Sequence, residues 1–358
     1  MRAILFFSVT ISAAALLGAA HRPGTLALLI AGMPHAAPIA RPDDRVAANA
    51  ACVKCHDDIA KEWSSSLHKQ AHTDPAYKRA LALEPLNFCR GCHAPEADAS
   101  HDAPKPLGDM GVACITCHVP DGSAHAGTLA VPGSLTSAKK APHAVLRNAE
   151  FATKSACANC HEFTFPHGRE LMQSTIHEHA SSGTSAACAN CHMPLVEGPK
   201  GRHRKHTFEV TSEMIRNSVE ARATREGSRA TFTIDPRGVG HAVPTGDLFR
   251  RLVLRATVVD EKGQTLESKR RYLTRHWTNI RSPGGAIVRG LASDDRPGGS
   301  ENRSTRVSFQ FADSFRNKTI LWQLQYEKVE HPRSESEDDV VSGGRLLLTE
   351  GRLDPQPQ

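Results

Sequence analysis

Cys52-Val-Lys-Cys55-His56 is the first of five C-x-x-C-H pentapeptides, and this series decides what the chain folds around. The others begin at Cys89, Cys114, Cys157 and Cys188, and the last two are identical in sequence. C-x-x-C-H is the attachment signature of c-type haem, in which two thiols bond to the porphyrin and the histidine ligates the iron. All ten cysteines lie in these motifs. The series therefore predicts five covalently bound haem c groups.

The residue roles follow from the motif. The predicted haem thioethers are those of Cys52 and Cys55, Cys89 and Cys92, Cys114 and Cys117, Cys157 and Cys160, and Cys188 and Cys191. The predicted proximal iron ligands are His56, His93, His118, His161 and His192.

Zinc and disulfide interpretations of these cysteines are less favourable. Zinc ribbons pair two C-x-x-C units at a separation of ~15–20 residues, and a thioredoxin-like motif needs one unit beside a βαβ pattern. Neither a zinc ribbon nor a disulfide framework requires a histidine after every second cysteine. The repetition therefore favours haem.

Composition limits what else the chain can be. Its 358 residues are enough for two ordinary domains, but aromatic residues make up only 5%. The first half, rich in Ala, Pro, Gly and His, would form a poor hydrophobic core without the apolar surface of porphyrins.

The formal net charge of +6 is spread along the chain. No nucleic-acid motif accompanies the short basic stretch at residues 202–206, so we expect no nucleic-acid partner.

The N-terminus predicts export. Met1-Arg2 precedes an apolar run from Ala3 to Ala20 and a second run from Thr25 to Met33. A basic start, an apolar stretch and small residues are typical of a signal peptide, which we place at residues 1–40. The alternative is an uncleaved membrane anchor, because the first run is close to the ~20 residues that spanning needs. Export to the periplasm or cell surface of a bacterium also fits the compartment in which c-type haem is attached.

The rest of the chain divides into regions that differ in composition and hydrophobic pattern. We expect a haem domain at 45–207, with helix over 57–83 and mostly loop over 94–142. From residue 208 to 350, short alternating runs separated by turns predict an antiparallel β-sandwich of about seven strands. A disordered tail is expected at 351–358. The predicted fold class is α+β, with a loop-rich, short-helix cytochrome domain before the sandwich.

Several stretches outside the motifs resemble multihaem cytochromes of the cytochrome c-554 type. They are Glu62-Trp-Ser-Ser-Ser-Leu-His68, Gly111-Val-Ala-Cys114 through His118 with His125, Cys188 through Pro194 with His206-Thr-Phe208, and Gly240-His-Ala-Val-Pro-Thr-Gly246. The resemblance covers roughly residues 48 to 300. One departure is the pair Glu178-His179, where the resemblance implies Glu-Trp. That difference affects the expected packing near the fourth haem.

The sixth ligand of each iron decides between electron transfer and catalysis, because a second strong ligand closes the iron to substrate. The distal candidates are His68, His125, His143, His206 and His241. The resemblance supports four of them, and His143 has the least support. Competing histidines are His72, His167, His177 and His179. Met193 follows a proximal histidine directly and is expected to pack against haem.

These features predict an electron-transfer protein, more an electron carrier than an enzyme, with mostly bis-histidine haems of low potential. Redox partner proteins are implied, and an oligomer or filament is a further hypothesis. The alternative is an oxidoreductase acting on a small nitrogen or sulfur compound at one five-coordinate haem. All five motifs end in His, whereas related reductases often mark that haem with Lys.

Overall fold

The computed structural model describes residues 44–127, 143–165, 168, 170–246, 248–281, 285, 287–334 and 336–355. The predicted signal peptide and His167 lie outside the described residues. The described helices are short and precede the long strands. They are α1 (Arg45–Cys55), α2 (Asp57–Ser64), α3 (Leu67–Gln70), α4 (Pro75–Leu83), α5 (Phe88–His93), α6 (Lys105–Gly108), α7 (Cys114–His118), α8 (Ser155–His161), α9 (Thr175–Ser181), α10 (Cys188–His192) and α11 (Ser212–Asn217).

The helix expected over 57–83 is three helices rather than one. Ser66 ends the first part and begins the next, because its hydroxyl accepts a hydrogen bond from the Lys69 amide at 3.1 Å. Asp74 then caps α4, accepting from the Tyr77 amide at 2.9 Å, and Pro75 takes the first helical position. These caps divide the helical segment into turns that can change direction.

Six short strands lie among the helices. They are β1 (His125–Gly127), β2 (Leu146–Asn148), β3 (Glu162–Thr164), β4 (Leu171–Ser174), β5 (Leu195–Val196) and β6 (His203–Arg204). They pair in sequence order, with β1 and β2 parallel and the other two pairs antiparallel. The segment expected to be mostly loop thus contains α6, α7 and β1, and residues 128–142 lie outside the described part.

The C-terminal region is built from longer antiparallel strands. They are β7 (Val219–Glu226), β8 (Arg229–Pro236), β9 (Arg250–Val259), β10 (Thr265–Leu273), β11 (Arg275–Arg281), β12 (Ile287–Asp294), β13 (Thr305–Gln310), β14 (Thr319–Pro332) and β15 (Val340–Leu353). One sheet has the order β10-β9-β14-β15, a second has β13-β8-β7, and β11 pairs with β12 as a hairpin. Mixed helix and antiparallel sheet agree with the α+β prediction.

The strand count differs from the expectation. About seven strands were predicted, and the described residues from 219 onward contain nine. Strand β15 also continues to Leu353, past the expected start of the disordered tail at residue 351. That strand pairs along its length with β14, which supplies the hydrogen bonds a free tail would lack.

One hydrophobic core is shared by the two larger sheets. Phe232 of β8 and Leu254 of β9 are fully buried, and the Phe232 ring lies 5.6 Å from the Trp322 ring of β14. Alternate residues along these strands point into this core. Arg79 of α4 binds Glu330 of β14 through two hydrogen bonds of 2.6 and 3.0 Å, which joins the helical region to the sheet. Among the described residues, no helix combines the length and the apolar character needed to span a membrane.

Candidate functional site

Each C-x-x-C-H motif lies at the end of a short helix. The first motif ends α1, and the others make up most of α5, α7, α8 and α10. Residues i and i+3 share one face of a helix, so the two thiols of each motif lie side by side. The histidine follows at or just beyond the last helical residue. This geometry presents two thiols and an imidazole to the same space.

A single cavity of about 4220 Å³ is lined by all ten cysteines and all five motif histidines. A site for one small molecule measures ~300–1,000 Å³, so this space is several times larger. Its wall includes Leu67, Leu146 and Val210, which are large apolar side chains between 49% and 60% exposed. The distal candidates also line it: His68, His125, His143, His206 and His241.

Three motif histidines each face one of the distal candidates. The ring centres of His161 and His68 are 6.4 Å apart. Those of His118 and His206 are 6.2 Å apart, and those of His192 and His241 are 6.3 Å apart. Two imidazoles on one metal, each bonded at about 2 Å with its ring centre roughly 1 Å further back, have centres about 6 Å apart. All three pairs have the spacing that a shared iron requires.

Backbone carbonyls set the tautomer of several of these rings. Nδ1 of His93 lies 2.6 Å from the Ala71 carbonyl, and Nδ1 of His118 lies 2.8 Å from that of His125. Nδ1 of His206 lies 2.7 Å from the Arg204 carbonyl, and Nδ1 of His241 lies 2.9 Å from the Ala242 carbonyl. A ring that donates Nδ1–H to a carbonyl keeps the lone pair of Nε2 for a metal.

Burial favours the neutral form of five of these rings, which is the form that binds a metal. It lowers the pKa of His68 to about 4, and the nearby His161 and His206 add to the effect. Burial likewise lowers the pKa of His206 to about 4, with a contribution from His118. The pKa values of His118, His161 and His192 are lowered by the same cause. These rings remain available as ligands in mildly acidic solution.

Two residues hold the distal rings in position. The Phe208 ring lies 4.2 Å from the His68 ring and 5.8 Å from the His206 ring. The Glu62 carboxylate accepts a hydrogen bond from the His206 amide at 2.8 Å and contacts His203 Nε2 at 3.1 Å. Both residues belong to stretches that carry the cytochrome c-554 resemblance, but the sequence did not indicate these contacts.

His125 is presented differently from the other candidates. Its Nε2 is 2.9 Å from the Asp121 carboxylate, and its Nδ1 is buried without a hydrogen-bond partner among the described residues. The side chain is 12% exposed. The nitrogen that is free to bind a metal is therefore Nδ1.

The second motif has an aromatic neighbour that the sequence analysis missed. The Tyr77 ring stacks on the His93 ring, with centres 3.8 Å apart and planes 6° from parallel. Burial raises the pKa of Tyr77, and its buried hydroxyl has no hydrogen-bond partner among the described residues. The competing candidate His72 is also buried here, with Nε2 2.9 Å from Lys78 Nζ.

The other candidates lie in less favourable places. His143 is exposed, and its Nδ1 is 3.1 Å from the carbonyl of the next residue, Ala144. His177 is exposed, whereas Nε2 of His179 is 2.8 Å from the Ala186 carbonyl. His167 lies outside the described residues.

Contacts between cysteines give the order of the motifs in space. Hydrogen bonding to Cys160 raises the pKa of Cys92, so the second and fourth motifs touch. The fourth and fifth motifs touch in the same way, because a hydrogen bond between Cys157 and Cys188 lowers the pKa of Cys188 to about 6. Electrostatic effects link Cys52 to Cys114 and Cys117 to Cys157. The motifs thus run first, third, fourth and fifth, with the second beside the fourth.

A buried ion pair fixes the loop that carries His241. The Arg296 guanidinium binds the Glu178 carboxylate at 2.7 Å, and Thr245 donates to the same carboxylate at 2.6 Å. Burial alone would raise the pKa of Glu178, but Arg296 and two hydroxyls outweigh it and lower the pKa to about 2. Glu178 therefore connects α9 to the turn at Gly240–Gly246. His179, where the resemblance implies Trp, hydrogen-bonds to the next loop instead.

The zinc and disulfide alternatives fit poorly. None of the ten cysteines is joined to another in a disulfide. Within the described part of the chain, no three His, Cys, Asp or Glu side chains converge as a zinc site needs.

Two family models match separate stretches of the chain. The model of cytochrome c554 and c-prime matches residues 51–119, and that of the NapC/NirT cytochrome c family, N-terminal region, matches residues 141–232. Together these stretches contain all five motifs. The chain is a multihaem c-type cytochrome. This cytochrome binds haem c and transfers electrons with redox partner proteins.

Among solved structures, the penta-heme cytochrome c552 from Thermochromatium tepidum resembles the cytochrome. The match has a TM-score of 0.62 at 19% sequence identity and covers 84% of this chain and 97% of the other. Identity at this level shows a shared fold alone. The sequence has no match among the curated proteins.

Proposed function

We propose that this cytochrome is an exported pentahaem protein that carries electrons between redox partners. The observation that carries the proposal is the set of three histidine pairs with ring centres 6.2–6.4 Å apart, in one cavity with all ten thiols. Haem c, when bound, supplies an iron that takes up and releases one electron. The protein decides which ligands that iron has and which neighbours it meets.

The ten cysteines and five motif histidines would hold the haems, as the motif predicts. The distances between ring centres favour three distal ligands. His68 would lie opposite His161, His206 opposite His118, and His241 opposite His192. Histidine on both sides stabilises ferric iron relative to a methionine ligand, so we expect low potentials.

His125 is best suited to the first motif. Its carbonyl binds the His118 ring of the third motif, and the third motif lies beside the first through Cys114 and Cys52. Its Nδ1 is the unoccupied nitrogen, so we propose ligation through Nδ1. His143 stays a prediction for the remaining motif, that of His93.

The order of the motifs supports a relay. The fourth motif touches the second and the fifth, and electrostatic effects link the first motif to the third and the third to the fourth. Neighbouring motifs in this order would keep their porphyrins close together, which favours electron hopping. The fourth motif would then be the junction at which two routes meet.

Export and the strand-rich region complete the proposal. The N-terminal sequence pattern supports a signal peptide at residues 1–40, and the attachment chemistry of c-type haem requires an exported chain. The shared core between the four-stranded and three-stranded sheets favours a β-sandwich for residues 208–350. Its role would be docking and, through His241, completion of one haem site.

Pyridine haemochrome quantitation combined with electron paramagnetic resonance tests the proposal. Five haems per chain and mainly low-spin ferric signals are expected. A stoichiometry below five, or dominant high-spin signals that respond to cyanide, would reject the bis-histidine pentahaem assignment.

A further inference from the structure

The β11–β12 hairpin exposes large apolar side chains. Ile280 is 44% exposed, Leu291 is 39% exposed and Ile287 is 68% exposed, the highest value for a large apolar side chain among the described residues. None of the three lines the haem cavity described above. Exposed apolar side chains that cluster in one element are typical of an interaction site.

The strand register places Ile287 and Leu291 on one face of the hairpin and Ile280, which lies opposite Val288, on the other. Arg281 lies opposite Ile287, and Trp277 lies opposite Leu291. Directly opposed residues of an antiparallel pair share a face, and alternate residues return to it. We call this surface the hairpin face; its residues are Trp277, Asn279, Arg281, Ile287, Arg289 and Leu291.

The hairpin face is positively charged. Arg281 and Arg289 are both exposed and flank Ile287. Residues 275–293 include three arginines and no aspartate or glutamate. An apolar centre between two exposed arginines is complementary to an acidic surface that has its own apolar patch.

The base of the hairpin is fixed to the segment that follows the fourth motif. The Trp277 ring packs edge-on against Phe165, with centres 5.0 Å apart, and Phe165 follows β3, which begins directly after His161. Arg275 donates hydrogen bonds to the Leu171 carbonyl at 2.8 Å and to the Ser174 hydroxyl at 3.0 Å. The hairpin face therefore has a set position beside β3 and β4.

We propose that the hairpin face is the docking site for an acidic electron-transfer protein. The inference rests on the proposed electron-carrier function and adds the site and the charge of the partner. The arginines would steer the encounter, and the apolar centre would bury a small area of the kind found in short-lived redox complexes. In each productive encounter one electron passes between the bound protein and the cytochrome, and no bond forms or breaks. The base of the hairpin packs beside β3 and β4, which follow the fourth motif, the proposed junction of the relay.

The test uses the haem-loaded cytochrome and an acidic [2Fe–2S] ferredoxin as probe. Association rates are measured by surface plasmon resonance for the wild type, for R281E/R289E and for R306E/R316E. The last variant makes the same charge change at exposed arginines outside the hairpin. At low salt we expect R281E/R289E to associate at least ~10-fold more slowly and the control to change far less. At ~1 M salt, where screening acts within about 3 Å, the three proteins should converge.

A second pair of variants tests the apolar centre. Ile287→Ser should raise the dissociation rate of the ferredoxin severalfold, whereas Leu266→Ser, at a residue 42% exposed on β10, should not. Equal behaviour of hairpin and control variants would overturn the proposal. It would also be overturned if R281E/R289E lost only self-association or only binding to phosphatidylglycerol vesicles.

The haem absorption of each protein and its reduction by dithionite are recorded separately. A protein that lacks haem absorption or is not reduced by dithionite would count against the proposed function. The binding rates report on docking alone.

Discussion

At the scale of single residues, the ligand pairs make the sharpest prediction. His68→Met should raise the midpoint potential of one haem by on the order of 0.1 V, within the ~0.8 V range that axial ligands span. The reason is that a thioether stabilises ferric iron less than an imidazole does. Spectroelectrochemical titration measures the change.

The matched control is His177→Met, at an exposed histidine in α9 that does not line the cavity. It should leave all potentials unchanged. Unaltered potentials in the His68 variant would remove this residue from the ligand set.

Glu178 gives a prediction about pH. Its pKa is about 2 in the folded protein, below the ordinary value of 4.5. A group with a lowered folded pKa stabilises the fold above its unfolded pKa, and that contribution is lost as the pH falls from about 4.5 toward about 2. Across this pH window the free energy of unfolding of the wild type should therefore fall by roughly 3 kcal/mol more than that of Glu178→Gln. Urea unfolding at several pH values, followed by circular dichroism, measures it.

Glu220→Gln, at an exposed glutamate on β7, is the control and should keep the wild-type profile. If the free energies of unfolding of Glu178→Gln and of the wild type changed in parallel below pH ~4.5, the stabilising role of the Glu178–Arg296 pair would be refuted.

Much of the proposed site could be predicted from the sequence, because the motif chemistry is local. The cysteines and proximal histidines follow from adjacent residues, and the resemblance added His68, His206 and His241. Their pairing could not be predicted, since only the folded chain brings His68 to His161. Asp121 and Tyr77 were missed for the same reason: each acts on a histidine through a contact that no sequence pattern records.

At the scale of elements, strand β14 offers two leucines with opposite environments. Leu324 is fully buried, and Leu321 is 42% exposed on the other face. Leu324→Ala should lower the free energy of unfolding by about 2–5 kcal/mol, because it leaves a cavity in the shared core. Leu321→Ala should change it by less than about 0.5 kcal/mol. Chemical denaturation compares the two, and similar costs would contradict the assigned core.

The elements predicted from sequence are those with regular alternation. Alternation predicts strands β7, β8, β9, β13 and β14, because their apolar residues recur at every second position. Strand β10 was missed because its charged residues Glu267, Lys269, Arg270 and Arg271 hide the pattern. Strand β15 is an edge strand with Gly343 and Gly344, and its pairing to β14 defines it more than its composition does.

At the scale of the whole molecule, the large cavity predicts how the protein behaves without haem. Apolar side chains such as Leu67 and Val210 line a space that the polypeptide does not fill. The helical region, up to about residue 207, should therefore be unfolded in protein made without haem attachment, whereas the strand-rich region keeps its own core. Limited proteolysis with peptide mapping should find early cleavage confined to the helical region.

Haem-loaded protein is the reference and should resist cleavage in both regions. Equal resistance of the haem-free helical region would mean that the short helices are stable by themselves.

The proposed His192–His241 pair crosses the boundary near residue 208, where the sequence pattern changes, and this has a consequence for biogenesis. His118 and His192 are synthesised before His206 and His241, which face them. A nascent chain therefore emerges with imidazoles whose partners have not yet been translated. A product terminated before Gly240 would retain five attachment signatures and still leave the proposed site opposite His192 open to solvent and adventitious ligands.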